Sequence, residues 1–385
     1  MGRIVTLVLV DPAGTVLGAL PPYDVEVPWW QEVAEVVAGA RQHHGVDVTV
    51  LRLLHAELAA PPGGKVTYLA EVAGDPGPVR PAAAALVPHP RRAPYAEIGG
   101  PAASLAWAAD ALAAQGRTVT AAAQQRTWNL STIWRLETDT TPVWLKQVPD
   151  FFAHEPAVLR WLDEHCPGIA PAPLAADGGR MLLDDLPGTD RYSAAADERL
   201  RMLPLLHTVQ VTAAERVGDL LALGVPDQRP PRLAERLRAV ATRDAAPGER
   251  LAALLDGLDE RLDRLTACGL PDTLVHGDFH PGNVRGTAER LHVIDWGDAV
   301  LGHPAIDLLR MTERLADPEP LRQAWSRGWR AAVPGCEPER SLELIEPLVA
   351  LRNAAAYAGF LEAIEPSEWP YHADDVPYWL AQAAA

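Results

Sequence analysis

The sequence predicts an α+β protein built as a bilobal body, with a small β-rich lobe and a large helical lobe, plus an additional N-terminal α+β domain. Three observations predict this. Short apolar runs with strand spacing surround a single helical pattern up to about residue 73. A Pro-rich stretch then interrupts all periodicity, and strand patterns resume near residue 118. Beyond about residue 190 the chain is mostly helical. The expected segments are therefore 1–73, a connector with one helix over 74–117, a small lobe and hinge over 118–190, and a helical lobe over 191–385.

Each element follows from its residues. "RIVTLVLVD", "PAG" and "TVLGALP" read as a hairpin, two apolar runs parted by turn residues. "WWQEVAEVVAGARQHHG" places Val33, Val36, Val37 and Ala40 at helical spacing, with Gly45 as the stop. "VDVTVLRLLHAEL" and "KVTYLAEVA" are further strands. "GDPGPVRPAAAALVPHPRRAPYAEIGGPA" is a linker or an extended wrap, and "SLAWAADALAAQG" is a helix ended by Gly116. "TWNLSTIWRLETDTTPVWLKQVP" reads as strand, turn, strand. "FAHEPAVLRWLDEH" is a helix, and "RMLLDDLPGTD" is a strand running into a loop.

The bulk composition narrows the partners. The 385 residues carry 34 Lys and Arg against 51 Asp and Glu, a net charge of −17, which argues against a nucleic-acid backbone as partner. Cys166, Cys268 and Cys336 are far apart and form no CxxC, so reduced thiols are expected. The longest apolar run near the N-terminus is too short to span a membrane, and a cytoplasmic protein, monomer or homodimer, is expected.

The chemistry lies in two acidic loops. "VHGDFHPGN" sets His276, Asp278 and Asn283 in the pattern H-x-D-x-x-x-x-N, and "VIDWGDA" sets Asp295 in D-W-G after a strand-like run. Phosphoryl transfer from a nucleotide needs an acid facing the acceptor hydroxyl, oxygen ligands for magnesium, and a cation on the phosphates. Lys146, ending "VWLK", and Glu155, opening the next helix, supply the remaining parts in a sensible order.

"VHGDFHPGN" with "VIDWGDAVLGHPAIDLL" resembles the aminoglycoside phosphotransferase and choline kinase-like family, small-molecule kinases with a protein-kinase-like fold; the resemblance covers roughly residues 118–385. It implies Asp278 as catalytic base, Asn283 and Asp295 as magnesium ligands, and Lys146 on the α and β phosphates of ATP, held by Glu155. It implies an adenine contact by the backbone at Asp184, Asp185 and Leu186, and bracing of the loops by His276 and Asp307. "RTWNLST" stands where a glycine-rich loop is absent, with Ser131, Thr132 and backbone amides as phosphate contacts. His303 departs from the family, which often has Asp there; the change bears on local bracing, not on the metal site.

The N-terminal domain resembles a Nudix-type fold without its chemistry. With Gly45 matched to the glycine of R-E-x-x-E-E-x-G, the glutamate pair becomes Gln42 and His43 and the Arg-Glu start becomes Ala38-Gly39, so the resemblance implies a catalytically empty domain. The acceptor is expected to be a polar small molecule such as an amino sugar, a sugar or an aminoglycoside, with Glu362, Glu365, Asp374 and Asp375 as a candidate acidic rim and Trp369, Tyr371, Tyr378 and Trp379 as candidate stacking groups. ATP and GTP are not separated. An antibiotic-resistance phosphotransferase and a nucleotide-binding regulator without turnover stand as alternatives.

Overall fold

The computed structural model describes residues 2–84, 86–243 and 248–384. The chain forms two compact units: Met1–Ala153 with Pro173–Asp185 and Gly359–Asp374, and His154–Ala172 with Leu186–Ala358 and Asp375–Ala385. This division differs from the four consecutive segments read from the sequence. The N-terminal region, the connector and the small-lobe strands share one unit, and a stretch from far down the chain joins them.

The first unit contains two five-stranded sheets. In the N-terminal sheet, β1 (Arg3–Val10) forms the expected hairpin with β2 (Val16–Ala19) and also pairs with β3 (Tyr23–Val25). Helix α1 (Ala34–His44) ends where Gly45 takes a left-handed φ of 71°. β4 (Thr49–Ala56) and β5 (Gly64–Glu71) complete the order β2-β1-β5-β4, with β5 parallel to β1. One face buries Val5, Leu7, Leu9, Trp30, Val36, Val50 and Tyr68. On the other, Ala82, Ala84, Leu86 and Ile98 cover Val8, Val10, Leu51 and Leu69. The Pro-rich stretch is therefore an extended wrap: its small apolar residues close the second face of the sheet. Each fully buried Val or Leu contributes about 1.5–3 kcal/mol, whereas an ion pair as exposed as Arg41–Asp47 is screened by water and adds little. Core burial thus dominates.

Helix α2 (Gly100–Ala113) buries Ala108 and Leu112 against Trp134, Leu136, Val143, Leu145 and Leu182 of the second sheet. That sheet runs β6 (Val119–Trp128), β7 (Ser131–Thr138), β8 (Val143–Gln147), β10 (Arg180–Asp184), β9 (Pro173–Asp177). Strand β6 reaches back to Val119, well beyond the "TW" at which the sequence pattern begins. The first half of "VTAAAQQRTW" is mostly exposed and the segment lacks alternation, so its pairing with β7, rather than its own pattern, makes it a strand.

In the second unit, α3 (Glu155–His165) is followed, after the chain crosses over at 185–186, by β11 (Thr189–Asp190) and the helices α4 (Ala196–Ala214), α5 (Val217–Ala222), α6 (Pro230–Ala241), α7 (Glu249–Asp256) and α8 (Leu258–Ala267). Four short strands come next: β12 (Thr273–Val275), β13 (Val284–Gly286), β14 (Leu291–Val293) and β15 (Val300–Gly302). Helices α9 (Ala305–Thr312), α10 (Glu319–Ala332), α11 (Pro338–Ala363) and α12 (Asp375–Ala384) follow; α11 enters the first unit at Gly359. The three cysteines are buried and unbridged.

Candidate active site

The four short strands set the geometry of both acidic loops. β13 pairs with β14 and β12 with β15, all antiparallel, so one hairpin is nested inside another. Residues 276–283 join β12 to β13, and residues 294–299 join β14 to β15. Each loop therefore starts and ends beside the other. The Ile294 amide donates to the Asn283 carbonyl at 2.9 Å, which sets Asp295 one residue from the point of contact.

Asn283 Nδ2 donates to the Asp278 carbonyl at 3.0 Å and to Asp278 Oδ2 at 3.3 Å. With its amide nitrogen committed, Asn283 has Oδ1 to offer a cation. Asp295 adopts a left-handed conformation, φ 65° and ψ 63°, which is uncommon outside glycine and clusters at functional sites. Among the described residues no group of three His, Cys, Asp or Glu could hold a metal by itself. An amide oxygen and a carboxylate are nonetheless hard donors that suit magnesium, which completes its shell with phosphate oxygens and water.

His276 and Asp307 tie the loops to the body. His276 is fully buried; its Nδ1 accepts from the Asp278 amide at 3.3 Å, so Nε2 carries the proton and donates to the Ile294 carbonyl at 2.9 Å. Asp307, fully buried in α9, accepts from the amides of His276 and Gly277 at 2.9 Å each and from Gln210 Nε2 at 3.0 Å. Burial pushes its carboxyl up, against His276, these amides and Arg352. Gly277 has φ 86°, and a Cβ there would lie 2.2 Å from the Asp298 carbonyl oxygen, so only glycine fits the turn. A Cβ on Gly282 would meet His280 at 2.6 Å and Tyr192 at 2.7 Å. His303 accepts from the Ala305 amide through Nδ1, and burial depresses it to about 3. A neutral imidazole thus meets the first amide of α9 from outside the helix, ahead of its Pro304 N-cap.

Other contacts at Asp278 are not legible in the motif. Arg310 Nε donates to Asp278 Oδ1 at 2.7 Å, and His280 Nε2 lies 3.4 Å from Oδ2. Burial raises the Asp278 carboxyl, but His280 and Arg310 outweigh it and hold the group well below the usual carboxylate range. Arg310 follows Asp307 by three residues, one turn of α9, and this i, i+3 spacing is the only local signal of its position. Tyr192, 67% exposed, stands edge-on to His280 at 6.0 Å.

The remaining expected residues distribute between the units. Lys146 lies on β8 of the first unit, paired in register with Met181. Glu155, 1% exposed, lies in the second unit and accepts from the Trp296 amide at 3.1 Å, next to Asp295. Asp184 ion-pairs with Arg117 at 3.1 Å, Asp185 accepts from Trp144 Nε1 at 2.7 Å, and the Leu186 carbonyl accepts from Arg285. The hydroxyls of the β6–β7 turn face inward: Thr132 is 1% exposed and donates to the Arg126 carbonyl, and Ser131 accepts from Trp128 Nε1. Burial thus commits both hydroxyls to contacts within the protein. Of the acidic rim, Glu362, Glu365 and Asp374 belong to the first unit and Asp375 to the second. Glu365 is committed to Arg92 at 2.8 Å and is buried, so it is a structural ion pair. Tyr371 is buried in the N-terminal core, while Trp369 and Tyr378 are exposed.

Residues 122–341 match the phosphotransferase enzyme family. Among solved structures, the apoenzyme of a macrolide 2'-phosphotransferase from Brachybacterium faecium is similar with a TM-score of 0.51 at 19% identity, over 70% of this chain and 97% of that one. A choline kinase from Streptococcus pneumoniae gives 0.51 at 14%, over 72% and 98%. An ethanolamine kinase from Plasmodium vivax gives 0.52 at 9%, over 69% and 82%. These likenesses are of fold, α+β in the protein-kinase-like manner. A search of curated proteins found no match. The family match spans more than half of the chain, and the chain therefore belongs to the phosphotransferase enzyme family.

Proposed function

We propose that the protein transfers the γ-phosphoryl group of ATP to a hydroxyl of a polar small molecule, most plainly an amino sugar, a sugar or an aminoglycoside. The observation that carries this is the hydrogen-bonded contact of Asn283 with Asp278, locked in register one residue from the left-handed Asp295. It joins a proton acceptor to two oxygen donors for a cation.

In this reading the acceptor oxygen attacks the γ-phosphorus, the bond to the β-γ bridging oxygen breaks, and the hydroxyl proton passes to the Asp278 carboxylate. Arg310 holds Oδ1 at 2.7 Å, whereas Oδ2 has the longer contacts, to Asn283 Nδ2 at 3.3 Å and His280 Nε2 at 3.4 Å, so Oδ2 is the oxygen that turns to the acceptor. A carboxylate held below its usual range is a weak base, which suits a loose transition state in which the proton leaves late and orientation matters most. Magnesium, bound by Asn283 and Asp295, would neutralise the charge on the phosphates. Lys146 is the cation for the nucleotide. Glu155 acts here through the Trp296 amide, by bracing the Asp295 loop.

Three carboxylates act on Tyr357 in the second unit: burial raises its hydroxyl, and Asp375, Asp278 and Asp298 add to this against Arg310. Of the four rim residues, Asp375 is the one that fits an amine-bearing acceptor. The fold alone leaves the acceptor open. The test is ADP release from magnesium-ATP across glucosamine, N-acetylglucosamine, glucose, aminoglycosides, choline and homoserine, with Asp278→Asn as control. Turnover on one acceptor that the variant loses supports the reading. Nucleotide binding with no turnover on any acceptor would favour a regulatory protein instead.

A further inference from the structure

The β6–β7 turn, residues 128–131, has no glycine, yet it stands in the chain where kinases carry a flexible glycine-rich loop over the phosphates. In the first unit it is gripped from two distant parts of the sequence. The N-terminal region grips its stem. Val33 and Thr127 amides donate to the carbonyls of Gln125 and Gln31 at 2.9 and 3.0 Å. Arg126 Nε meets Glu32 at 2.9 Å. The Gln124 side chain bonds both backbone groups of Val50, accepting at 2.9 Å and donating at 2.8 Å. β6 is the edge strand of its sheet, and these contacts cover that edge. Tyr95 donates to the Trp128 carbonyl at 2.9 Å.

Residues 359–374 grip the tip. Asn129, 5% exposed, accepts from His372 Nε2 at 2.9 Å through Oδ1 and reaches the Glu368 carbonyl at 3.4 Å through Nδ2. The Trp128 ring lies 5.7 Å from Tyr371 and 5.6 Å from His372. This C-terminal strap is itself anchored on the N-terminal region: Glu368 accepts from the Leu53 amide at 3.2 Å, and Glu365 binds Arg92.

We propose that Asn129 and His372 are positioning residues for the nucleotide, and that the N-terminal α+β region serves as the anchor that makes their grip possible. A loop without glycine cannot fold down over a phosphate by its own flexibility. It presents its backbone amides in a preset position only if something else holds it, and holding it in advance lowers the ordering cost of binding. The region that lacks hydrolase carboxylates thus gains a role: it fixes the strap, and the strap fixes the turn. This inference rests on the proposed use of ATP.

The experiment separates the two. Magnesium-ATP binding to the full-length wild-type chain is measured first by calorimetry; no binding removes the nucleotide reading itself. With binding established, Asn129→Ala and His372→Ala are expected to raise the KM for ATP and the Kd for magnesium-ATP about tenfold. The kcat at saturating ATP and the acceptor KM should change by less than about twofold. His372→Gln, which keeps a donor for Asn129, is expected to restore most of the affinity. Gln124→Ala, away from the tip, gives a second reading if Asn129→Ala does not fold. Variants that keep their melting temperature and bind nucleotide like the wild type overturn the proposal, and so does an equal loss in all kinetic constants without rescue by Gln.

Discussion

Replacing Asp307 tests whether the two loops are held as described. The carboxylate receives three buried hydrogen bonds, from the His276 and Gly277 amides and from Gln210, at 2.9, 2.9 and 3.0 Å. Asp307→Ala leaves three buried donors without an acceptor, each costing about 1–3 kcal/mol. Removing a buried charge offsets part of this, so the second unit should lose about 3–5 kcal/mol. Asp307→Asn keeps the shape and one acceptor oxygen but turns an amide N–H toward a donor, and about 2–3 kcal/mol is expected. Urea unfolding followed by circular dichroism gives the stability. Amide hydrogen exchange at His276 and Gly277 gives the local effect, and these two sites should lose protection before the rest of the unit. Stability within about 1 kcal/mol of wild type in Asp307→Ala, with both amides still protected, would refute the bracing argument.

Other expectations are equally direct. Asp278→Asn should still fold and bind nucleotide, with some stability lost because Arg310 no longer faces a charge, while turnover falls by several powers of ten; near-normal turnover would sink the base assignment. Asp295→Asn, whose new side chain tolerates the left-handed conformation, should fold and bind nucleotide with weakened magnesium dependence, and an unchanged magnesium titration would count against the metal role. Gly277→Ala should destabilise by about 2 kcal/mol or more, because a Cβ cannot sit 2.2 Å from the Asp298 oxygen; a wild-type melting curve would contradict the turn geometry. Burial, and then Glu365, push Glu368 up to about 8 from its ordinary 4.5, against the Leu53 amide, Arg52 and Arg92. The folded state therefore keeps a proton that the unfolded chain loses. Its contribution is intact below about pH 4.5 and falls away toward pH 8, by up to about 1.4 kcal/mol per pH unit. Glu368→Gln should flatten the decline in melting temperature between pH 5 and 8; an unchanged slope would place the titration elsewhere.

What could be read from the sequence was contiguous. The α1 helix and its Gly45 stop, the β1–β2 hairpin, and the two motifs around Asp278 and Asp295 each state their pattern within a few residues, because turns, caps and short loops depend on neighbours in the chain. The family follows from those same short stretches. Tertiary structure decided what depends on faces meeting across long separations. "VTAAAQQRTW" becomes a strand through β7 and its edge contacts, not through its own propensity. Arg310 reaches Asp278 across 32 residues because α9 turns the faces of Asp307 and Arg310 to the same loop. Glu365, read as an acceptor rim, is instead neutralised by Arg92, 273 residues away, because Gly359–Asp374 folds into the first unit. An exposed-looking acid and a buried ion pair share one spelling, and only the partner brought alongside distinguishes them.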